Sequence, residues 1–158
     1  MSTALDCRQV ASAAQLDDSS QSQLAQVART AANLGADVLM QHYGRLSSIK
    51  SKGRVGDLVT NADLAAEQVV LDYLREHTPS IAILAEESGP SGPPGSLCWC
   101  IDPLDGTTNF AHGYPFFATS VGLIWKGKPL LGSVAVPFLN ETYWCSPHQG
   151  SFVNHDPI

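Results

Sequence analysis

Between residues 98 and 110 the chain reads CWCIDPLDGTTNF, and the side chains equipped for chemistry are Asp102 and Asp105, three residues apart. A short apolar run over 97–101 delivers the backbone to Asp102. Pro103 is expected to stop further sheet pairing, Asp105-Gly106 reads as a turn, and Thr107-Thr108 can cap a following helix. Two carboxylates at a strand's end can converge on one point, with the backbone N–H groups of Gly106 and Thr107 beside them. Carboxylate oxygens suit hard cations such as Mg²⁺, and a helix N-terminus suits phosphate oxygens. The pattern implies a metal-plus-phosphate site. The plainer alternative is that DPLDG is structural, because Asp-Gly turns and Asp caps are common.

The upstream sequence weighs against the plainer alternative. A second apolar run, 81–85, ends in the adjacent acids Glu86 and Glu87, and DLVTNAD over 57–63 opens a helix. Three acidic segments, each at the end of an element, are hard to explain as solvated surface.

The elements that position these residues follow from periodicity. Residues 1–18 show no clear pattern and read as a mobile, disordered arm. A helix is predicted from Ser19 or Ser20, with Leu24, Val27, Ala28, Ala31, Leu34, Val38 and Leu39 at helical spacing and Gly44 at its end. Residues 46–50 suggest a short strand, and SKGRVG over 51–56 a basic, Gly-rich loop that either connects or brings Lys50 or Lys52 toward the metals. A second helix opens at Thr60-Asn61-Ala62-Asp63, where Thr60 and Asp63 have capping-box spacing, and ends at Thr78-Pro79. Asp63 is explained by the helix dipole, and Asp57, before the helix, is freer to point elsewhere. Residues 88–96 form a Pro/Gly/Ser connector. Strands are predicted over 81–85, 97–101, 116–125, 129–136, 141–145 and 151–153, with a hairpin tip at Lys126-Gly127-Lys128. Helices followed by strands predict an α+β layered architecture, the helices packed on a mainly antiparallel sheet.

DLVTNAD, then AEES, then WCIDPLDGTTNFAHGYPFFATSVG resemble the inositol monophosphatase family of Mg²⁺-dependent, typically lithium-sensitive phosphatases. The resemblance runs from about Leu24 to the last residue, and the wording over 99–115 is nearest to plant-type members. It implies a layered α/β sandwich of the inositol monophosphatase/fructose bisphosphatase type, with 19–158 as the metal-binding N-terminal part of an incomplete domain. It further implies that Glu86 and Asp102 are ligands of the principal Mg²⁺, that Leu104 lends its carbonyl, and that Asp102 and Asp105 hold a second cation. Asp105, Gly106 and Thr107 then bind the substrate phosphate, and the Thr107 hydroxyl, backed by Asp57, orients or deprotonates a metal-bound water. Glu87 either holds a further metal-bound water or is an exposed acid. His112 is expected to fix the turn after Phe110, since Mg²⁺ prefers oxygen.

Composition agrees with that chemistry. The 158 residues carry a net charge of −6, which disfavours nucleic acid and anionic membranes as partners. A phosphate ester approaching several carboxylates is repelled unless cations intervene. The chain has four cysteines; Cys98 and Cys100 would share one strand face and read as free thiols in a reducing compartment, the cytoplasm or, after loss of a presequence, the plastid stroma. No run approaches a membrane span in length. There is no P-loop, and no Cys followed by five residues and Arg, so direct attack by water is favoured over a phospho-enzyme.

The sequence also departs from the family pattern. A second signature, Trp-Asp followed by small residues, is absent, because Trp99, Trp125 and Trp144 precede Cys, Lys and Cys, and His155 stands where Gly is usual. The expectation is the N-terminal half of such an enzyme, with uncovered strand edges and apolar surface that favour self-association, as a homodimer for instance. Two functions follow. One is hydrolysis of inositol monophosphate or, in related members, of histidinol phosphate, a nucleotide bisphosphate or fructose bisphosphate. The other is an inactive fragment that binds Mg²⁺.

Overall fold

A computed structural model describes residues 6–45, 49–51 and 58–158. In chain order the elements are α1 (Cys7–Ala13), α2 (Asp18–His42), β1 (Ile49–Ser51), β2 (Leu58–Thr60), α3 (Asn61–His77), β3 (Ala82–Ala85), β4 (Gly89–Ser91), β5 (Leu97–Asp105) and α4 (Thr107–Ala111). There follow β6 (Ala118–Trp125), β7 (Lys128–Val136), a 3₁₀ turn (Pro137–Leu139), β8 (Glu141–Ser146), β9 (Gly150–Val153) and β10 (Asp156–Pro157). The architecture is the expected one: helices layered on a mainly antiparallel sheet. Among the described residues no helix is long and apolar enough to cross a membrane.

Each long helix is started by a side chain. Asp17 accepts the Ser20 N–H at 2.7 Å to open α2, and Thr60 and Asp63 close a reciprocal capping box on α3. The buried stripe of α2 is rich in alanine, which lets it lie close to the sheet. At Gly35 an added Cβ would fall 2.7 Å from the Thr119 methyl on β6, so only a residue without a side chain fits there.

The large sheet runs β10-β9-β8-β7-β6-β5-β3-β4. Every neighbouring pair is antiparallel except β3 and β5, whose register joins Ala82–Cys98 through Ala85–Ile101 in parallel. Opposed residues share a face. Trp99, Ile101, Val121, Leu123, Leu131, Ala135 and Trp144 therefore meet α2 and α3 in the main core. Cys98, Cys100 and Asp102 alternate with them onto the open face, as the sequence predicted for the two cysteines. Both edge strands, β4 (GPS) and β10 (DP), are short and contain a proline. The Lys126-Gly127 tip has positive φ at both residues, 49° and 77°, the left-handed geometry that tight hairpins favour.

Beneath the 102–107 stretch lies a second, smaller core of Leu39, Ala62, Ala66, Leu104, Phe110 and Phe117. Leu39, Leu104 and Phe110 are at most 2% exposed, and burial of each stabilises the fold by about 1.5–3 kcal/mol. The indole N–H of fully buried Trp99 donates to Thr78 Oγ1 at 3.0 Å, so its burial leaves no unpaired donor.

Several features differ from the sequence-based expectation. Thr107 and Thr108, read as caps, do not cap α4, whose N-cap is Gly106 with no side-chain hydrogen bond. Residues 1–18, read as a disordered arm, contain α1, which has a capping box between Asp6 and Gln9 and buries Val10 and Ala11. Seven residues are too few to display a helical period. Residues 88–96, read as a connector, contribute β4, which pairs with β3. Pro103 does not end the strand, because β5 continues to Asp105 through a register irregularity between Asp102 and Asp105. A bulge takes up a residue that cannot donate, and the Pro103 carbonyl is held by the Thr119 hydroxyl at 2.9 Å. Lys52 and Asp57 lie outside the described residues.

Candidate functional site

Parallel pairing decides where the acids go. Because β3 and β5 run the same way, their C-terminal ends emerge at one end of the sheet, and the Glu86 N–H still reaches the Ile101 carbonyl at 3.1 Å. That bond sets Glu86 beside Asp102, and the two side chains are hydrogen-bonded to each other. Asp102 is half-buried, whereas Glu86 and Asp105 are exposed. Burial, the bonded Glu86 carboxyl, the Glu86 charge and the Asp105 charge push the Asp102 carboxyl up to about 7, against the pull of the Leu104 N–H, which donates to Asp102 Oδ1 at 3.1 Å. Three acids crowd one another, and two of them share a hydrogen bond.

Gly106 then turns the chain into α4. Its φ is 89°, and an added Cβ would lie 2.8 Å from the Phe116 carbonyl oxygen, so the position demands glycine. Asn109 Nδ2 donates to that same carbonyl at 2.9 Å, which closes the loop after α4. His112 Nδ1 lies 2.7 Å from the Thr108 carbonyl, an acceptor, so the ring donates there and fixes the turn as expected.

Thr107 joins this turn to α3. Its hydroxyl lies 3.0 Å from the Leu104 carbonyl and 3.2 Å from Asp63 Oδ1. Its carboxylate neighbour among the described residues is Asp63; Asp57, the residue chosen from the sequence, lies outside them. Asp63 is only 1% exposed. Its other oxygen accepts from the Thr60 N–H at 2.9 Å and the Thr60 hydroxyl at 2.5 Å. The helix cap and the contact to Thr107 are two ends of one carboxylate. A further acid, Glu67, accepts the Glu87 N–H at 2.8 Å. Neither role is signalled by spacing alone, although a helix turn bearing two acids on its buried face is a pattern worth testing in such sequences.

The donor set suits a hard cation such as Mg²⁺. Among the described residues no three Asp, Glu, His or Cys side chains form a ready-made metal cage. Mg²⁺ keeps several waters and takes one or two carboxylates, so the Glu86–Asp102 pair, with Asp105 next to it, suits it without a closed cage. A carboxyl raised by burial and by its acidic neighbours is also a place where a cation relieves repulsion. The residues fit the ion.

The fold and this carboxylate–threonine end of the sheet define a layered α+β protein of the inositol monophosphatase/fructose bisphosphatase type. Residues 20–158 match the model of the inositol monophosphatase family, and the chain belongs to that family. It is 46% identical over 117 residues to the inositol-1-monophosphatase of Synechocystis, covering 73% of this chain and 41% of that one. To the chloroplastic phosphatase IMPL1 of Arabidopsis thaliana it is 46% identical over 112 residues, covering 70% and 30%. The crystal structure of the extragenic suppressor protein suhB from Bartonella henselae superposes with a TM-score of 0.80 at 34% identity, covering 85% of this chain and 53% of that one. The chain thus spans about half or less of the length of these relatives.

Proposed function

We propose that this chain carries the cation- and phosphate-binding part of a Mg²⁺-dependent phosphatase that hydrolyses a small phosphate monoester, inositol monophosphate first among them. The observation that carries the reading is the meeting of β3 and β5 at one end of the sheet, with Glu86 bonded to Asp102 and Thr107 beside Asp63. Family membership supports the same class of substrate.

In this reading Glu86, Asp102 and Asp105, with the Leu104 carbonyl, hold Mg²⁺, and Glu87 supports a water at its edge. When bound, the ion neutralises the substrate phosphate and polarises its oxygens. Asp105 and the N–H groups of Gly106 and Thr107 orient the ester. Asp63, pinned by Thr60, holds the hydrogen of the Thr107 hydroxyl, so that the oxygen's lone pairs face the attacking water and align it with phosphorus. Water adds, the alcohol leaves, and the water's proton goes with it. The cytoplasm or the plastid stroma suits a chain whose four cysteines are free thiols.

The test is phosphate release from inositol 1-phosphate by the 158-residue chain across a Mg²⁺ titration, with Asp102→Asn as control. Mg²⁺-dependent release that Asp102→Asn abolishes is the expected result. Release indifferent to both refutes the assignment. Mg²⁺ binding without release favours the second reading, in which this half binds the ion and turnover needs the remainder of a full-length relative.

A further inference from the structure

Helix α3 places two carboxylates one turn apart on its buried face, Asp63 at 1% and Glu67 at 3% exposure. Asp63 reaches the turn after β5 through Thr107, and Glu67 reaches the turn after β3 through the Glu87 N–H at 2.8 Å. The first of these turns follows directly on Asp105, the last residue of β5, and the second carries Glu86. A buried carboxylate is costly unless it is paired, and a backbone N–H aimed at it makes a short, charge-assisted bond. A carboxylate kept in such a place constrains what it touches.

We propose that Glu67 is a positioning residue: by holding the Glu87 N–H it seats the neighbouring Glu86 carboxylate against Asp102. One face of α3 thereby sets the spacing between the two halves of the cation site. The inference rests on the proposed function, since it concerns the same site. It assigns Glu67 a structural reach and no contact with substrate.

Reach and charge can be separated by two conservative substitutions. Glu67→Gln keeps the side-chain length and a carbonyl oxygen for the Glu87 N–H, but loses the charge. Glu67→Asp keeps the charge and falls short by one methylene. Mg²⁺ affinity of the whole chain is read by titration calorimetry, alongside the thermal midpoint of each variant. Expected is near wild-type affinity for Glu67→Gln and about 10–100-fold weaker binding for Glu67→Asp, the range seen when residues behind metal ligands are altered. Glu67→Met, which matches the length but offers no acceptor, is a second route should Glu67→Asp not fold, and is expected to weaken binding likewise. A Glu67→Asp chain with a lower midpoint but unchanged affinity makes the role purely structural and overturns the proposal. Weak binding by Glu67→Gln with Glu67→Asp intact makes it one of charge, and also overturns it. If the wild-type chain binds no Mg²⁺, the proposed function itself fails and this inference falls with it.

Discussion

Replacing Gly106 by alanine tests the geometry of the site without touching a carboxylate. Gly106 and Gly113 are both left-handed, with φ of 89° and 74°, but a Cβ at Gly113 meets nothing within 4 Å, whereas at Gly106 it meets the Phe116 oxygen at 2.8 Å and Phe117 Cα at 3.4 Å. The left-handed conformation costs an L-residue about 1–2 kcal/mol, and the stiffer unfolded chain returns about 0.4–1 kcal/mol. Both terms are common to the two variants and cancel in the comparison. What remains at Gly106 is overlap with backbone atoms that cannot swing aside, comparable to overpacking a core at about 1–3 kcal/mol. At about 2–4 °C per kcal/mol for a chain of this size, Gly106→Ala should melt roughly 2–12 °C below Gly113→Ala. The assay is thermal unfolding of both variants by circular dichroism in one buffer. Equal midpoints would refute the claim that packing against Phe116, beyond backbone conformation, dictates glycine there.

Two further outcomes follow from the same residues. Thr107→Val removes the hydroxyl near Asp63 and should lower kcat for inositol 1-phosphate by about 10²–10⁴, while Thr107→Ser retains most of it; equal loss in both would assign Thr107 to packing. Asp102 titrates near 7 when folded and has an ordinary value of 3.8, so the native state holds a proton that the unfolded state has released. Stability without divalent cations should therefore fall as pH rises from about 4 to about 7. Asp102→Asn should flatten that slope in denaturant titrations at several pH values, and an unchanged slope would remove Asp102 as its source.

What the sequence disclosed was local. The Asp-Gly turn could be read because glycine acts on its immediate neighbours, and the two acidic strand ends announced themselves by where the apolar runs stopped, whereas Pro103 is absorbed in a bulge and Gly106, not a threonine, caps α4. Asp63 misled because its capping box with Thr60 is a complete explanation in itself, while its second oxygen serves a hydroxyl 44 residues onward. Glu67 left no trace, since a glutamate within a polar helix looks solvated until the turn it holds is placed over it. Parallel pairing of β3 and β5 was equally out of reach, because strand direction depends on a crossover that periodicity does not encode. Glycine and proline hid β4 for a related reason: these residues usually mark loops, and here they form a sheet's margin.

That margin bears on how copies of the chain can meet. Lateral growth of a sheet needs a run of unpaired N–H and C=O groups long enough to template another strand. Here one border offers three residues and the other two, with Pro90 and Pro157 each removing a donor. Strand exchange and fibre-like stacking through these borders therefore have almost nothing to grip. Exposed apolar residues lie elsewhere: Leu84, Val134 and Tyr143 on the broad side of the sheet opposite the helices, and Leu64, Tyr114, Phe116 and Leu139 off it. Among the described residues, the two borders of this sheet are therefore poor templates for another strand.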